Sequence, residues 1–164
     1  MSPSSTSDEW PMDLPLPQDF KEFLALLDSE KIDYLIVGGY AVSYYGYART
    51  TGDLDIWVAM HPDTANRMVI ALAKFGFASA GATKDLFLTP DRVVRMGVPP
   101  VRIEVLTSIS GVDFAACFAR KTSAMIDGVS VSVIGREDLI ANKLAAGRNK
   151  DLNDLKHLGR TTTS

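Results

Sequence analysis

The chain has 164 residues, 46% hydrophobic and 23% charged, a composition that fits one globular domain with its own core and leaves no room for a second of full size. A formal net charge of −3 argues against a protein held to nucleic acid or membrane surfaces by bulk electrostatics, so any anionic substrate must be met by local charge. The one cysteine, Cys117 in the apolar run 114–118, reads as a small buried hydrophobe, and His61 and His157 have no Cys or His at ligand spacing, which argues against a zinc site.

In chain order, residues 1–16 are rich in Ser and Pro and lack periodicity, which predicts a mobile tail that docks late through Trp10 or Leu14, ahead of a single domain over 17–160. The N-terminus has no basic region followed by an apolar core, and no run reaches membrane-spanning length, so a cytoplasmic protein without membrane contact is expected. Phe20, Phe23, Leu24 and Leu27 recur at i, i+3, i+4 and i+7 behind Pro17, predicting an amphipathic helix. Ile32–Val37 is apolar and β-favouring enough for a central strand that ends at Gly38-Gly39. Tyr40–Tyr47 then suits a short helix whose first turn offers unpaired backbone N–H groups, a good seat for phosphate.

In an extended chain Arg49, Thr51, Asp53 and Asp55 share one face while Leu54, Ile56 and Val58 turn to the core. Ala65, Met68, Val69 and Leu72 mark a crossover helix between Pro62-Asp63 and Gly76. Asp85–Leu88 and Val93–Met96 are expected as short strands around a Pro90-Asp91 turn, and Val101–Leu106 as a strand with Glu104 opposite its apolar face. A short helix over 111–120, a peripheral hairpin turning at Asp127-Gly128, and two helices over 137–146 and 150–158 parted by Gly147 complete an α/β reading.

The chemistry sits on the acids. Two carboxylates one residue apart beside buried apolar flanks repel each other unless a cation lies between them. With Glu104 as a third acid on another strand, the set suits two Mg²⁺ ions. A D-x-D alone is common on exposed strands; the preceding Gly38-Gly39 gives this one its weight. Arg49 can pair with the acids or meet a triphosphate. Lys143, set among Leu139, Ile140, Leu144 and Ala145, needs an anion, with phosphate or an active-site acid as the expected partner. Arg148, Lys150, Asp151 and Asp154 either close over a nucleotide or form a solvated, charge-paired helix. Tyr40, Tyr44, Tyr45 and Tyr47 read more simply as packing than as a stacking platform. The stretch 37–46 lacks G-x-G-x-x-G, and no Gly-Lys-Ser/Thr follows, which sets aside dinucleotide-binding and kinase-type phosphate loops.

An apolar strand, Gly38-Gly39, thirteen intervening residues, Asp53-Leu54-Asp55 and a later Glu104 together resemble the nucleotidyltransferase superfamily that includes DNA polymerase β. The Arg49-x-Thr51-x-Asp53-x-Asp55 segment looks like the bacterial toxin-type members of abortive-infection and toxin–antitoxin systems, and residues 138–155 are similar to small members of that group. The resemblance implies a mixed twisted sheet flanked by helices with a C-terminal helical pair. It also implies Mg²⁺-dependent transfer of a nucleotidyl group from an NTP to a hydroxyl, with release of pyrophosphate. Asp53, Asp55 and Glu104 would be the catalytic metal ligands, for two Mg²⁺ or alternatively Mn²⁺. Gly38, Gly39, Arg49, Thr51, Lys143, Arg148 and Lys150 would bind nucleotide. Gly39 stands where many members carry Ser, and Glu104 where Asp is frequent. The acceptor, RNA such as a tRNA 3′ end, protein or a small molecule, is not specified. The rival expectation is a regulatory, antitoxin-like nucleotide-binding module acting with a partner protein.

Overall fold

The computed structural model describes residues 16–46, 52–77 and 81–159. Their strands are β1 (Tyr34–Val37), β2 (Asp53–Val58), β3 (Val93–Val98), β4 (Val101–Leu106), β5 (Thr122–Ile126) and β6 (Val129–Val133). They form one mixed sheet in the order β3-β4-β2-β1-β6-β5. β1 runs antiparallel to β2 and parallel to β6, while β2 runs parallel to β4. The two central strands are thus the ones that carry the Gly-Gly terminus and the Asp pair.

The helices are α1 (Gln18–Ser29), α2 (Gly38–Tyr44), α3 (Pro62–Lys74), α4 (Lys84–Phe87), α5 (Phe114–Ala119), α6 (Arg136–Ala146) and α7 (Asn149–His157). Burial follows the predicted periodicities. Phe20, Phe23, Leu24 and Leu27 of α1 are buried, as are Leu54, Ile56 and Val58 of β2 and Ile103 and Val105 of β4. α1 and α3 pack together, and Phe23 meets Phe75, just past α3, edge-on at 5.2 Å. Among the described residues no helix is long and apolar enough to cross a membrane.

Four details differ from the sequence reading. Lys84–Phe87 is a helix, not a strand, because the Thr83 hydroxyl accepts from Leu86 N–H at 3.3 Å and caps its first turn. α2 begins at Gly38 itself, so the glycine pair forms the helix's first turn and not a loop before it. The helix expected over 111–120 is confined to Phe114–Ala119, where Asp113 caps it by accepting from Ala116 N–H at 3.1 Å. Of the hairpin expected at the periphery only β5 is an edge; β6 lies inside the sheet beside β1.

Its turn does use Asp127 and Gly128, both at positive φ (48° and 82°), the backbone that matches the twist of a two-residue hairpin. The Asp127 carboxylate accepts from the N–H of buried Leu16 at 2.9 Å and pairs with Lys21 at 3.2 Å. Residues 1–15 of the expected tail, Trp10 and Leu14 included, lie outside the described residues.

Candidate active site

The alternation of β2 and β4 puts three carboxylates on one face of the sheet. In the parallel β2–β4 register Asp55 lies opposite Glu104, and Asp53 lies one pleat earlier on the same strand face. One oxygen from each of Asp53, Asp55 and Glu104 lies within 4.8 Å of the others. Among the described residues this is the one group of three such side chains close enough to share an ion. Asp55 is the most enclosed. Its Oδ1 is buried without a hydrogen-bond partner, and burial, then the Glu104 and Asp53 charges, push its pKa up to about 7 against the opposing pull of Lys150. Hard oxygen donors, an orphaned buried oxygen and mutual repulsion are what a divalent cation would relieve, so the residues fit such an ion.

Gly38 fixes Asp55 in place. Its φ is +70°, and a Cβ there would lie 2.1 Å from Asp55 Oδ2, so only glycine permits both the backbone turn and the approach of the carboxylate. Gly39 follows, buried in the first turn of α2. Gly38 and Asp55 open into a cleft of about 330 Å³ whose far wall is made by Ser108, Asn142, Lys143 and Arg148. The loop after β4 is tied to that wall: Asn142 Nδ2 donates to the Ser110 carbonyl at 3.0 Å.

Lys143 is buried and does find carboxylates, though not those of the acid cluster. Its Nζ lies 3.2 Å from Asp151 Oδ1 and 3.1 Å from Asp154 Oδ2, and both acids are fully buried. Arg148 closes the set, donating from Nε to Asp151 Oδ2 at 2.6 Å while its backbone N–H donates to the same oxygen at 3.2 Å. Burial alone would raise the Asp151 pKa, but the hydrogen bonds from Arg148 and Lys143 outweigh it and hold the carboxyl below its ordinary value. The alternative of a solvated, charge-paired α7 is therefore corrected. Asp151, Asp154, Leu155 and Leu158 fall at i, i+3, i+4 and i+7, so the acids lie on the stripe that faces the core. Lys150, on the first turn of α7, is exposed and acts on Asp55 by charge.

Two functional candidates were missed. Arg102 donates from Nη2 to Asp53 Oδ2 at 2.8 Å, and Arg95 donates from Nε to Glu104 Oε2 at 2.7 Å. The sequence signal existed, since Arg102 precedes Glu104 by two residues and so shares its face. Arg49 and Thr51, like Tyr47, lie outside the described residues. Tyr40 and Tyr44 are buried, and the Tyr45 hydroxyl donates to the Ile134 carbonyl at 2.6 Å, which fits packing roles. Cys117 is buried, and burial with the nearby Asp138 pushes its thiol up to about 11, away from reactivity.

A model of the family described as "Nucleotidyl transferase of unknown function (DUF2204)" matches residues 17–164. Among solved structures, the chain is similar to an antigenic nucleotidyltransferase-like protein from Paracoccidioides brasiliensis, at 19% identity and a TM-score of 0.50, over 88% of this chain and 76% of that one. At that identity the likeness speaks for the fold, a mixed sheet flanked by helices. None of the curated proteins compared matches the chain.

Proposed function

This chain belongs to the family of nucleotidyl transferases of unknown function, and from that membership we propose that it transfers a nucleotidyl group from an NTP to a hydroxyl acceptor with a divalent cation, Mg²⁺ first, held by Asp53, Asp55 and Glu104. The observation that carries the reading is the convergence of those three carboxylates within 4.8 Å of one another, one of which, Asp55, lines the cleft beside Gly38.

When bound, the cation would neutralise phosphate charge and lower the pKa of the attacking hydroxyl. The chain's own part is positioning. Gly38 leaves room for the Asp55 carboxylate and opens the backbone toward the cleft. Arg148, largely exposed on the opposite wall, offers N–H donors where a polyphosphate would lie, and Lys143 is held behind it by Asp151 and Asp154. The buried network behind them keeps that wall from moving when the ligand arrives. Lys150 adds positive charge that acts on Asp55.

The acceptor class is open among RNA, protein and small molecule. The toxin-type assignment and a partner protein rest on the 49–55 segment and on residues 138–155, and co-purification from the native host tests them. The central test is incubation of the protein with each labelled NTP and Mg²⁺ in host lysate, followed by identification of the labelled species. Label on one acceptor class, lost with Asp53→Asn or Asp55→Asn, is expected. Nucleotide bound with Mg²⁺ but no acceptor ever labelled would reduce the protein to a nucleotide-binding module.

A further inference from the structure

The acid cluster already carries cations of the protein's own. Arg102 lies directly opposite Asp53 in the β2–β4 register, bonded to its Oδ2 at 2.8 Å, and its Nε lies 3.8 Å from Glu104 Oε2. Glu104 Oε2 also accepts from Arg95 Nε at 2.7 Å, across the β3–β4 register. Two guanidiniums therefore rest on two of the three carboxylates that would ligate an ion, and a divalent cation entering among those oxygens meets them at short range, where like charges repel most strongly.

We propose that Arg102, supported by Arg95, is a resident competitor for the metal: the ion reaches Asp53 by displacing the Arg102 guanidinium. The proposal rests on the reading of Asp53, Asp55 and Glu104 as a metal site. Charge counting gives it a consequence. With all three carboxylates ionised, as ion binding requires, two guanidiniums leave one formal negative charge, so a divalent ion alone overshoots neutrality. A polyphosphate arriving with the ion restores the balance, and metal and nucleotide then bind cooperatively because the apo site is already nearly neutral.

The surroundings allow the exchange. Beyond β4 lies only β3, the edge of the sheet. The residue opposite Arg102 on that strand is Gly97, which has no side chain to wall the guanidinium in. Arg102 Nε is buried without a hydrogen-bond partner, so that side of the fork makes no hydrogen bond to hold it in place. The opposite role, a clamp that holds Asp53 and Glu104 in position for the ion, predicts the reverse response to mutation.

The experiment is Mn²⁺ binding to the full chain, read by the electron paramagnetic resonance signal of free Mn²⁺, with and without a non-hydrolysable nucleoside triphosphate analogue. The variants are Arg102→Gln, Arg102→Gln with Arg95→Gln, Arg102→Lys, and, as a control for the loss of a positive charge elsewhere, Lys84→Gln at an exposed position of α4. A competitor predicts that Arg102→Gln tightens nucleotide-free Mn²⁺ binding at least about fivefold. The double variant tightens it further, Arg102→Lys falls between, and Lys84→Gln changes it by less than about twofold. The enhancement of Mn²⁺ affinity by nucleotide shrinks in step. Unchanged or weaker Mn²⁺ binding in Arg102→Gln, or an equal gain in Lys84→Gln, overturns the competitor. If Arg102→Gln does not fold, Arg102→Lys decides by the same sign. Absence of Mn²⁺ binding in every variant, with or without nucleotide, overturns the metal reading itself and the competitor with it.

Discussion

Two charge clusters reach one cleft, the first through Asp55 and the second through Lys143 and Arg148, and they are built on opposite terms. The Asp53–Asp55–Glu104 cluster has more acid than base and its arginines remain partly exposed, whereas Lys143 with Asp151 and Asp154 sits almost wholly inside the protein. In the second cluster Lys143 and Arg148 balance two acids, so nothing is left over for a ligand to neutralise. In the first a buried oxygen of Asp55 lacks a partner. A closed, balanced network fixes the position of a wall; an open, acid-rich one keeps charge in reserve for what binds.

The largest effect that would break this comparison comes from the closed side. Lys143→Met leaves two buried carboxylates without their ammonium and is expected to cost about 3–5 kcal/mol in urea unfolding. Asp53→Asn, which removes a charge from the open side, is expected to leave the unfolding midpoint nearly unchanged. Similar losses from both variants would make the two clusters alike after all.

A smaller effect tests whether the open cluster depends on its glycine. Gly38→Ala combines positive φ with a Cβ placed on the Asp55 carboxylate, and the expected cost is about 1–3 kcal/mol. Asp55 must move, so divalent-ion binding by calorimetry should weaken with the loss of stability. A destabilised protein that binds the ion normally would separate Gly38 from the site.

The gentlest test is a pH profile of stability without metal, where the two clusters should slope in opposite directions. Asp55 has its pKa raised from 3.8 to about 7, so the folded state holds a proton that the unfolded state has lost. Its contribution is full below pH 4 and declines as pH rises toward 7, by at most about 1.4 kcal/mol per pH unit. Asp151 has its pKa lowered, so its contribution is present above the ordinary carboxylate range and is lost as pH falls below it. Asp55→Asn should flatten the neutral limb and leave the acid limb intact; a neutral limb that persists would assign it to another group.

What could be read in the sequence was whatever depends on local period. β2 and β4 announced their faces by alternation, which put Asp53 and Asp55 side by side and Glu104 opposite the apolar face of its own strand. That Glu104 joins the pair was implied by the family resemblance and not by any period. Gly147 marked the break between α6 and α7, where the backbone is left-handed (φ 64°). What escaped were pairings made through tertiary structure. That Lys143 would meet Asp151 and Asp154 depends on how α6 folds back on α7, which no periodicity encodes. The acids of α7 did carry a signal in their i, i+3, i+4, i+7 spacing with Leu155 and Leu158, but charge suggested a wet face. Asp85–Leu88 was misjudged because four residues hold too little pattern to outweigh the Thr83 cap.

The contact between Gly38 and Asp55 ties two positions seventeen residues apart into one unit of inheritance. A lineage that keeps the acid at 55 cannot place a side chain at 38, while one that shortens residue 55 to Ala or Ser relieves the clash and leaves only the backbone turn to favour glycine. Paired changes at 38 and 55 in future relatives would therefore mark branches where the site has been abandoned and the scaffold kept. Glycine beside an intact acid would mark those still under selection for the chemistry.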